Sequence, residues 1–379
     1  MAEFIFWLII GTNLYTYAGY PVLTLFLSLF INNKVNKGND EPKVTFLITA
    51  YNEEKNIHEK LKNTLSLDYP KEKLEIIVAS DSSSDQTDEI VKKFGKGVIL
   101  FRVEGRVGKT ETQNQAVKIA KGDIVIFSDA TTKYKNDAIR KIVRNYSDPS
   151  IGAVSGRYEY VNPKGASVGL GTILFWKYEN SVKSRQTQIK TVTGCCGCIY
   201  SVRRALYEPL PRDIISDLVE PLKILEKGYR IAFEPEAVAY EETTETSKEE
   251  FSMRVRVISR GMHGLWYMRR LFNPLQYGFV SFQLLSHKVL RWMIPFGLPL
   301  LFISNFFLLG EWVVYDIFFI LQILFYLGAG AGYLLDRNGK KAKLFSLPLY
   351  YCIVNAASVS AFFRTLMGRK SVTWETVRQ

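Results

Sequence analysis

Cysteine and histidine are both scarce, with four Cys and three His (His58, His263, His287) in 379 residues. Four cysteines cannot form the disulfide framework of a small secreted scaffold. Three dispersed histidines leave few ligands for a His-rich metal site. Acidic residues are missing from 251–310, and charge of either sign is missing from 4–31. The chain is nonetheless 47% apolar and 23% charged, which excludes a disordered polymer. Its length suggests two or three domain-sized units. Lys+Arg number 49 against 37 Asp+Glu, a net charge of +12. Such an excess fits nucleic acid, an anionic membrane surface or phosphate-bearing substrates, and the distribution of the charges decides among them.

The uncharged run FIFWLIIGTNLYTYAGYPVLTLFLSLFI (4–31) exceeds the roughly 20 residues needed to cross a bilayer. It lacks the basic start and short apolar core of a signal peptide. The first basic residues, Lys34 and Lys37, follow it, so the positive-inside rule predicts that the chain enters the cytosol there. Three further apolar runs lie at about Leu290–Leu309, Trp312–Leu335 and Leu344–Phe363. The first connection, GEW, lacks Lys and Arg, whereas DRNGKKAK is rich in both, which fits outside and then inside. Four simple spans would leave the tail outside, against the rule, because it holds Arg364, Arg369, Lys370 and Arg378. A re-entrant last segment would remove that conflict.

Between these ends, short β-rich runs alternate with helical ones. VTFLITAYN (44–52), LEIIVASD (74–81), GVILFRV (97–103) and DIVIFSDA (123–130) read as strands. Residues 53–66, 82–94 and 109–122 read as helices. This order predicts an α/β fold with a parallel sheet covered by helices, whose ligands bind beyond the strands' C-terminal ends. Three of those ends carry polar clusters: Tyr51-Asn52-Glu53, Asp81 with Asp85, and Asp129. One such Asp is commonly a helix cap, but several meeting at one sheet edge point to a nucleotide or metal site. GRVGKT (105–110) is not a P-loop, because that motif needs glycine where Val103 stands.

ITAYNEE, VASDSSSDQT, the Gly-Lys before QNQAVKIAKGDIVIFSDA, and GYRIAFEPEAVAYEE together resemble the membrane-bound family 2 glycosyltransferases of the polysaccharide-synthase type. The resemblance runs from about residue 44 to 292. It implies a GT-A (Rossmann-like) nucleotide-sugar domain flanked by transmembrane and interfacial helices. The implied organisation is an N-terminal span (1–33), a cytosolic GT-A domain (34–245), interfacial helices (246–288) and C-terminal spans (289–379). It also implies a multi-pass plasma-membrane protein.

By that resemblance Ala50, Tyr51, Glu53 and Asp81 bind the base and ribose, and Lys109 lies near the base or phosphates. Asp129 matches the first acid of the family's Asp-x-Asp motif and would hold Mg or Mn beside the diphosphate. A hard divalent ion there offsets charge on the leaving group. The motif departs from the pattern in ending at Thr131. Asp217 matches the second acid of the family's acidic pair, the general base, although Ser216 replaces its neighbour. The bland alternative is that Asp217 caps a helix over 218–227. Cys195, Cys196 and Cys198 stand where the family has small residues, and read as small apolar fillers.

The acid-free stretch 251–310 holds seven basic residues, which draws the net charge to the membrane-facing part of the chain and away from nucleic acid. Arg256, Arg260 and His263 share one helical face, as in a basic interfacial helix. Arg269 and Arg270 read as lipid-headgroup contacts. By the resemblance, Arg254 and Arg256 fall in the diphosphate- and acceptor-binding Gln-x-x-Arg-Trp motif, joined here by Arg260. Met253 and Val257 replace its Gln and Trp, which argues against a cellulose-like processive mechanism. The implied function is inverting transfer from a nucleotide-diphosphate sugar, UDP-sugars first, to a hydroxyl of a polysaccharide or lipid-linked acceptor at the cytosolic face. Single transfer to a glycolipid, and a membrane nucleotide-binding protein without turnover, remain open as alternatives.

Overall fold

A computed structural model of the chain describes residues 1–162, 165–340, 343–369 and 372. Helices α1 (Ala2–Leu14) and α2 (Tyr20–Phe30) join through a π turn at Tyr15–Gly19 into one continuous rod. The linker then leads to β1 (Val44–Ala50), α3 (Ile57–Leu65), β2 (Leu74–Ser80), α4 (Thr87–Lys92), β3 (Ile99–Arg102), α5 (Lys109–Ile119) and β4 (Ile124–Asp129). The chain continues with β5 (Lys133–Tyr134), α6 (Ala138–Val143), β6 (Ile151–Val161), α7 (Ser167–Ile189), β7 (Tyr200–Arg203), α8 (Ser216–Glu226) and β8 (Arg230–Glu242).

The eight strands form one sheet in the order β3-β2-β1-β4-β7-β6-β8-β5. The first four are parallel, as the alternating pattern predicts. β7 then runs antiparallel to both β4 and β6, and β8 lies parallel to β6. β1 is buried along its whole length, as a central parallel strand should be. Alternation sorts its side chains between two cores. Val44, Phe46 and Ile48 pack with α3 and α4, through Ile57, Leu61 and Val91. Leu47 faces the other way and joins Ala116 of α5 and Leu222 of α8. Register places Thr49 of β1 opposite Asp129 and Ala50 opposite Ser80, so the strand ends finish together.

After the sheet come α9 (Ser247–Tyr267), α10 (Pro274–Tyr277), α11 (Phe279–Leu284), α12 (Leu290–Phe306), α13 (Val313–Arg337) and α14 (Ser346–Leu366). A second π turn, Leu285–Val289, joins α11 to α12. A capping box of Thr246 and Glu249 starts α9. Three helices among the described residues are long and apolar enough to cross a membrane: Phe279–Phe306, Val313–Arg337 and Lys343–Leu366. The N-terminal rod packs on α12 through Phe6 and Leu301.

Two expectations are corrected here. α14 does not run away from the catalytic half, but lies along α7 and α9. Arg254 donates to the Tyr350 hydroxyl (2.7 Å), and Ser259 and Thr365 share a hydrogen bond (3.3 Å). Val372 then lies against Gly108. The start of the tail therefore shares a side with the sheet, contrary to four simple spans; Lys370 and Arg378 lie outside the described residues. Second, the arginines of α9 turn inward rather than outward. Arg254, Arg256 and Arg260 line an internal cavity, because α14 covers the helix where lipid was expected. Arg269 and Arg270 are exposed.

Candidate active site

A cavity of about 400 Å³ opens at the C-terminal ends of the parallel strands and extends beneath α7, α8, α9 and the π turn at 285–289. Six of the candidate catalytic and ligand-binding residues line it: Lys109, Asp129, Asp217, Arg254, Arg256 and Arg260. Asp129 ends β4, and Lys109 opens α5 immediately after Gly108, whose φ is 94°. Their side chains form an ion pair, so Asp129 already faces a cation. Burial works against the Lys109 ammonium, but Asp129 outweighs it and raises its pKa. Thr131, the residue in the place of the second acid, donates to Glu241 Oε1 (2.7 Å) at the end of β8. Thr131 and Glu241 both line the cavity. Two carboxylates and a hydroxyl are hard oxygen donors of the kind a divalent ion takes.

Asp217 lies in the first turn of α8. It does not cap the helix, since the N-cap is Ile215. Gly197 admits its carboxylate: a Cβ there would meet Asp217 Oδ2 at 2.7 Å. Burial and nearby Asp129 raise the Asp217 pKa, while Lys109, Arg260 and Lys183 pull it down. A carboxylate poised in this way can accept a proton from a bound hydroxyl. Arg260 is 7% exposed and donates to Thr110 Oγ1 (3.1 Å) and Ile214 O (2.7 Å). Burial lowers its pKa to about 10, which leaves it charged at neutral pH. Arg254 is held by Glu250 (2.7 Å) as well as by Tyr350. Cys196 and Cys198 are buried in the core, their sulfurs 3.6 Å apart, and Cys195 is half-buried beside them.

The remaining sequence candidates form the adjoining loops rather than the cavity wall. Asp81 is fully buried, and its carboxylate accepts from the backbone N–H groups of Val107 (2.8 Å) and Gly108 (3.1 Å). It thereby anchors the loop that leads to Lys109. Ala50 accepts from the Asp81 N–H at 2.9 Å. The Arg106 guanidinium covers the Tyr51 ring at 4.0 Å. Asn52 and Ser82 both have left-handed backbone, with φ of 52° and 56°, a strain that concentrates at functional loops. Glu53 is buried, accepts from Asn56 (2.8 Å), and has its pKa raised to about 7, mainly by burial.

Several lining residues escaped the sequence reading. Glu241 stands inside GYRIAFEPEAVAYEE, but only the pairing of β5 with β8 brings it beside Thr131. Lys60 is a buried amine behind the site, and its Nζ donates to Ser128 Oγ and Thr132 O, both at 2.6 Å. Its ring contacts are with Phe46 and Tyr134. It fixes the turn that follows Asp129. Glu179, Lys183, His287, Lys288 and Arg291 also line the cavity. Glu179 and Lys183 sit on α7, a helix without a motif.

Comparison with known proteins decides the family. Residues 45–210 match the model "Glycosyl transferase family 2". Those residues form a family 2 glycosyltransferase domain. It is 28% identical over 308 residues to a probable glycosyltransferase of Bacillus subtilis, covering 77% of this chain and 69% of that one. It is 30% identical over 254 residues to a poly-beta-1,6-N-acetyl-D-glucosamine synthase of Staphylococcus aureus, covering 65% of this chain. There it spans 61% of the relative's length. A Pyrobaculum calidifontis mannosyltransferase, solved with GDP-mannose and Mn2+, aligns with TM-score 0.73 and 21% identity. The alignment covers 97% of this chain and 100% of that one, so this glycosyltransferase shares its GT-A fold from end to end.

Proposed function

We propose that this glycosyltransferase moves a sugar from a nucleotide-diphosphate donor, UDP-sugars first, to a hydroxyl of a polysaccharide or lipid-linked acceptor at the cytosolic face of the plasma membrane. The supporting observation is one cavity, at the C-terminal strand ends, lined by Lys109, Asp129, Asp217 and Arg260 together. Asp217 takes the proton of the acceptor hydroxyl as that oxygen bonds to the anomeric carbon. The bond from that carbon to the diphosphate breaks on the opposite side, its electron pair leaves with the nucleotide, and the configuration inverts. Lys109, Arg256 and Arg260 stabilise the departing charge. Ala50, Tyr51, Glu53 and Asp81 shape the nucleotide loops, and Arg254 braces α9 against α14. Asp129 and Glu241 would hold Mg or Mn, which supplies positive charge to the diphosphate.

The Staphylococcus aureus relative's name favours cell-surface polysaccharide assembly as the first reading. The N-terminal rod and the three apolar helices would seat the enzyme in the membrane as a multi-pass protein, over domain boundaries near 33, 245 and 288. The test is release of nucleoside diphosphate from a panel of nucleotide sugars, with lipid extract and Mg or Mn. Asp217→Asn should lower turnover by about 10²–10⁴-fold with the donor still bound. Full activity in that variant would place the base elsewhere, and no turnover with any donor would leave a membrane nucleotide-binding protein. Product length separates the acceptors: a ladder means polymerisation, and one added sugar means a glycolipid.

A further inference from the structure

The cavity continues past Asp217 to a wall that the proposed sugar transfer leaves without a task. α7 contributes Trp176, Glu179 and Lys183 to it, and the second π turn with the start of α12 contributes His287, Lys288 and Arg291. Glu179 is buried and shared by three partners: His287 (3.2 Å), Lys288 (3.8 Å) and Arg291 (3.0 Å). Lys183 stands apart from that network. It is 4% exposed, and its ammonium has no hydrogen bond or ion pair among the described residues. Its contact is the face of Trp176, at 5.5 Å. Arg291 Nε and Nη2 and Trp176 Nε1 are buried N–H donors without an acceptor among the described residues.

Lys183 brings a positive charge to the cavity wall, and the buried donors of Arg291 and Trp176 beside it are costly unless an acceptor completes them. Here Lys288 and Arg291 share one carboxylate, Lys183 adds a third positive charge to the same wall, and the unsatisfied groups are donors. The missing partner is therefore an anion rich in acceptor oxygens. The fork of Arg291 and the point charge of Lys183 suit the several oxygens of a phosphate better than a single carboxylate. The wall is also built to hold its shape. Gln186 bridges Tyr20 of α2 (2.7 Å) and His287 (3.1 Å), Tyr20 stacks on His287, and Tyr15 bonds to Ser286 (2.8 Å). The two π turns thus meet at this wall, and such turns concentrate at functional sites.

We propose that Lys183, Lys288 and Arg291, with Trp176, form a subsite for a phosphate ester carried by the acceptor, beside the hydroxyl that Asp217 deprotonates. It rests on the nucleotide-sugar reading only for the word acceptor. Lys183 and Lys288 act electrostatically on Asp217, so a phosphate there lies near the reacting end of the acceptor. Two sources carry this chemistry: the headgroup of a phosphorylated lipid and a soluble sugar phosphate. The position of Lys288 and Arg291 on a helix long enough to cross a membrane gives a lipid tail a path alongside its headgroup.

The test uses the full chain in nanodiscs and calorimetric titration with a short-chain isoprenyl phosphate, its parent alcohol, inorganic phosphate, UDP and GDP. The isoprenyl phosphate should bind at least about tenfold more tightly than the alcohol. Lys183→Gln should weaken it by about tenfold or more, Lys183→Arg should restore most of the loss, and the nucleotide affinity of both should match the wild type. Unchanged nucleotide binding also certifies the fold, and Lys288→Gln provides an independent loss. Inorganic phosphate competing as well as the ester would identify a soluble phosphate, and poor competition would identify the lipid. Equal binding of alcohol and phosphate, or no loss in either Gln variant, would overturn the subsite. Displacement of the ester by UDP or GDP would also overturn it, by assigning these cations to the donor. Ester binding without any nucleotide binding would instead sink the nucleotide-sugar reading and leave the subsite standing.

Discussion

Replacing Gly197 with alanine tests the role of Asp217 without touching that residue. Gly197 is not among the glycines with left-handed backbone, so alanine suits its conformation. The new Cβ would lie 2.7 Å from Asp217 Oδ2 and 3.1 Å from its Cγ, where ordinary contact begins at 3.4 Å. The carboxylate must therefore retreat by about 0.7 Å. What yields is the end of a side chain facing a cavity, so the overpacking should destabilise the fold by only on the order of 1 kcal/mol. Catalysis is less forgiving. A misplacement of about 1 Å lowers rates on the order of a hundredfold, so this shift should lower kcat about 30-fold, or about 2 kcal/mol. Diphosphate release at saturating acceptor, with donor concentration varied, separates kcat from KM. Donor KM and melting temperature should stay near wild type. In an Asp217→Asn background the alanine should add almost nothing, because both changes remove one interaction. Wild-type kcat in Gly197→Ala, or a full additive loss in the double variant, would refute Asp217 as the base.

Three further outcomes are expected. Glu241→Gln should raise the Mg or Mn concentration for half-maximal activity by about tenfold, and an unchanged titration would remove Glu241 from the cation site. The pKa of Asp217 is raised, mainly by burial, and the base must be ionised to act, so the acidic limb of the kcat profile should lie above the ordinary aspartate position; a limb at that position would contradict this. Burial lowers the Lys60 pKa from 10.5 to about 7. Between those values the unfolded chain holds a proton that the folded chain lacks, so stability rises with pH across that window. The wild type should gain on Lys60→Met on moving from pH 7 towards pH 10, by at most on the order of 5 kcal/mol. Parallel melting temperatures for the two proteins at both ends would show that Lys60 keeps its proton in the fold.

Legibility differed from one part of the chain to another for a physical reason. The first four strands and their helices were readable because each is a local pattern: a short β-branched run, a polar turn, then helical spacing. The family resemblance singled out Asp129 and Asp217, Asp129 also by its place at a strand end, and both line one cavity. The antiparallel insertion of β7 was not readable, since nothing in YSVR specifies its neighbours. α9 looked interfacial because its arginines share a face, and the sequence does not say that α14 covers that helix. The same holds for the tail, whose basic residues were at odds with a simple count of spans until Val372 was seen against Gly108.

The sequence by itself determined the elements, the apolar segments and the acids at the strand ends, because those depend on spacing within a few residues. Only the tertiary structure decided which distant groups share a cavity. Thr131 meets Glu241 because β5, which follows it directly, pairs with β8, Lys133 opposite Tyr240. Lys183 faces a wall with Arg291 because α7 packs beneath a π turn more than a hundred residues away. Partners so far apart in the chain leave no periodic trace, and their meeting is set by the packing of whole elements rather than by local preference.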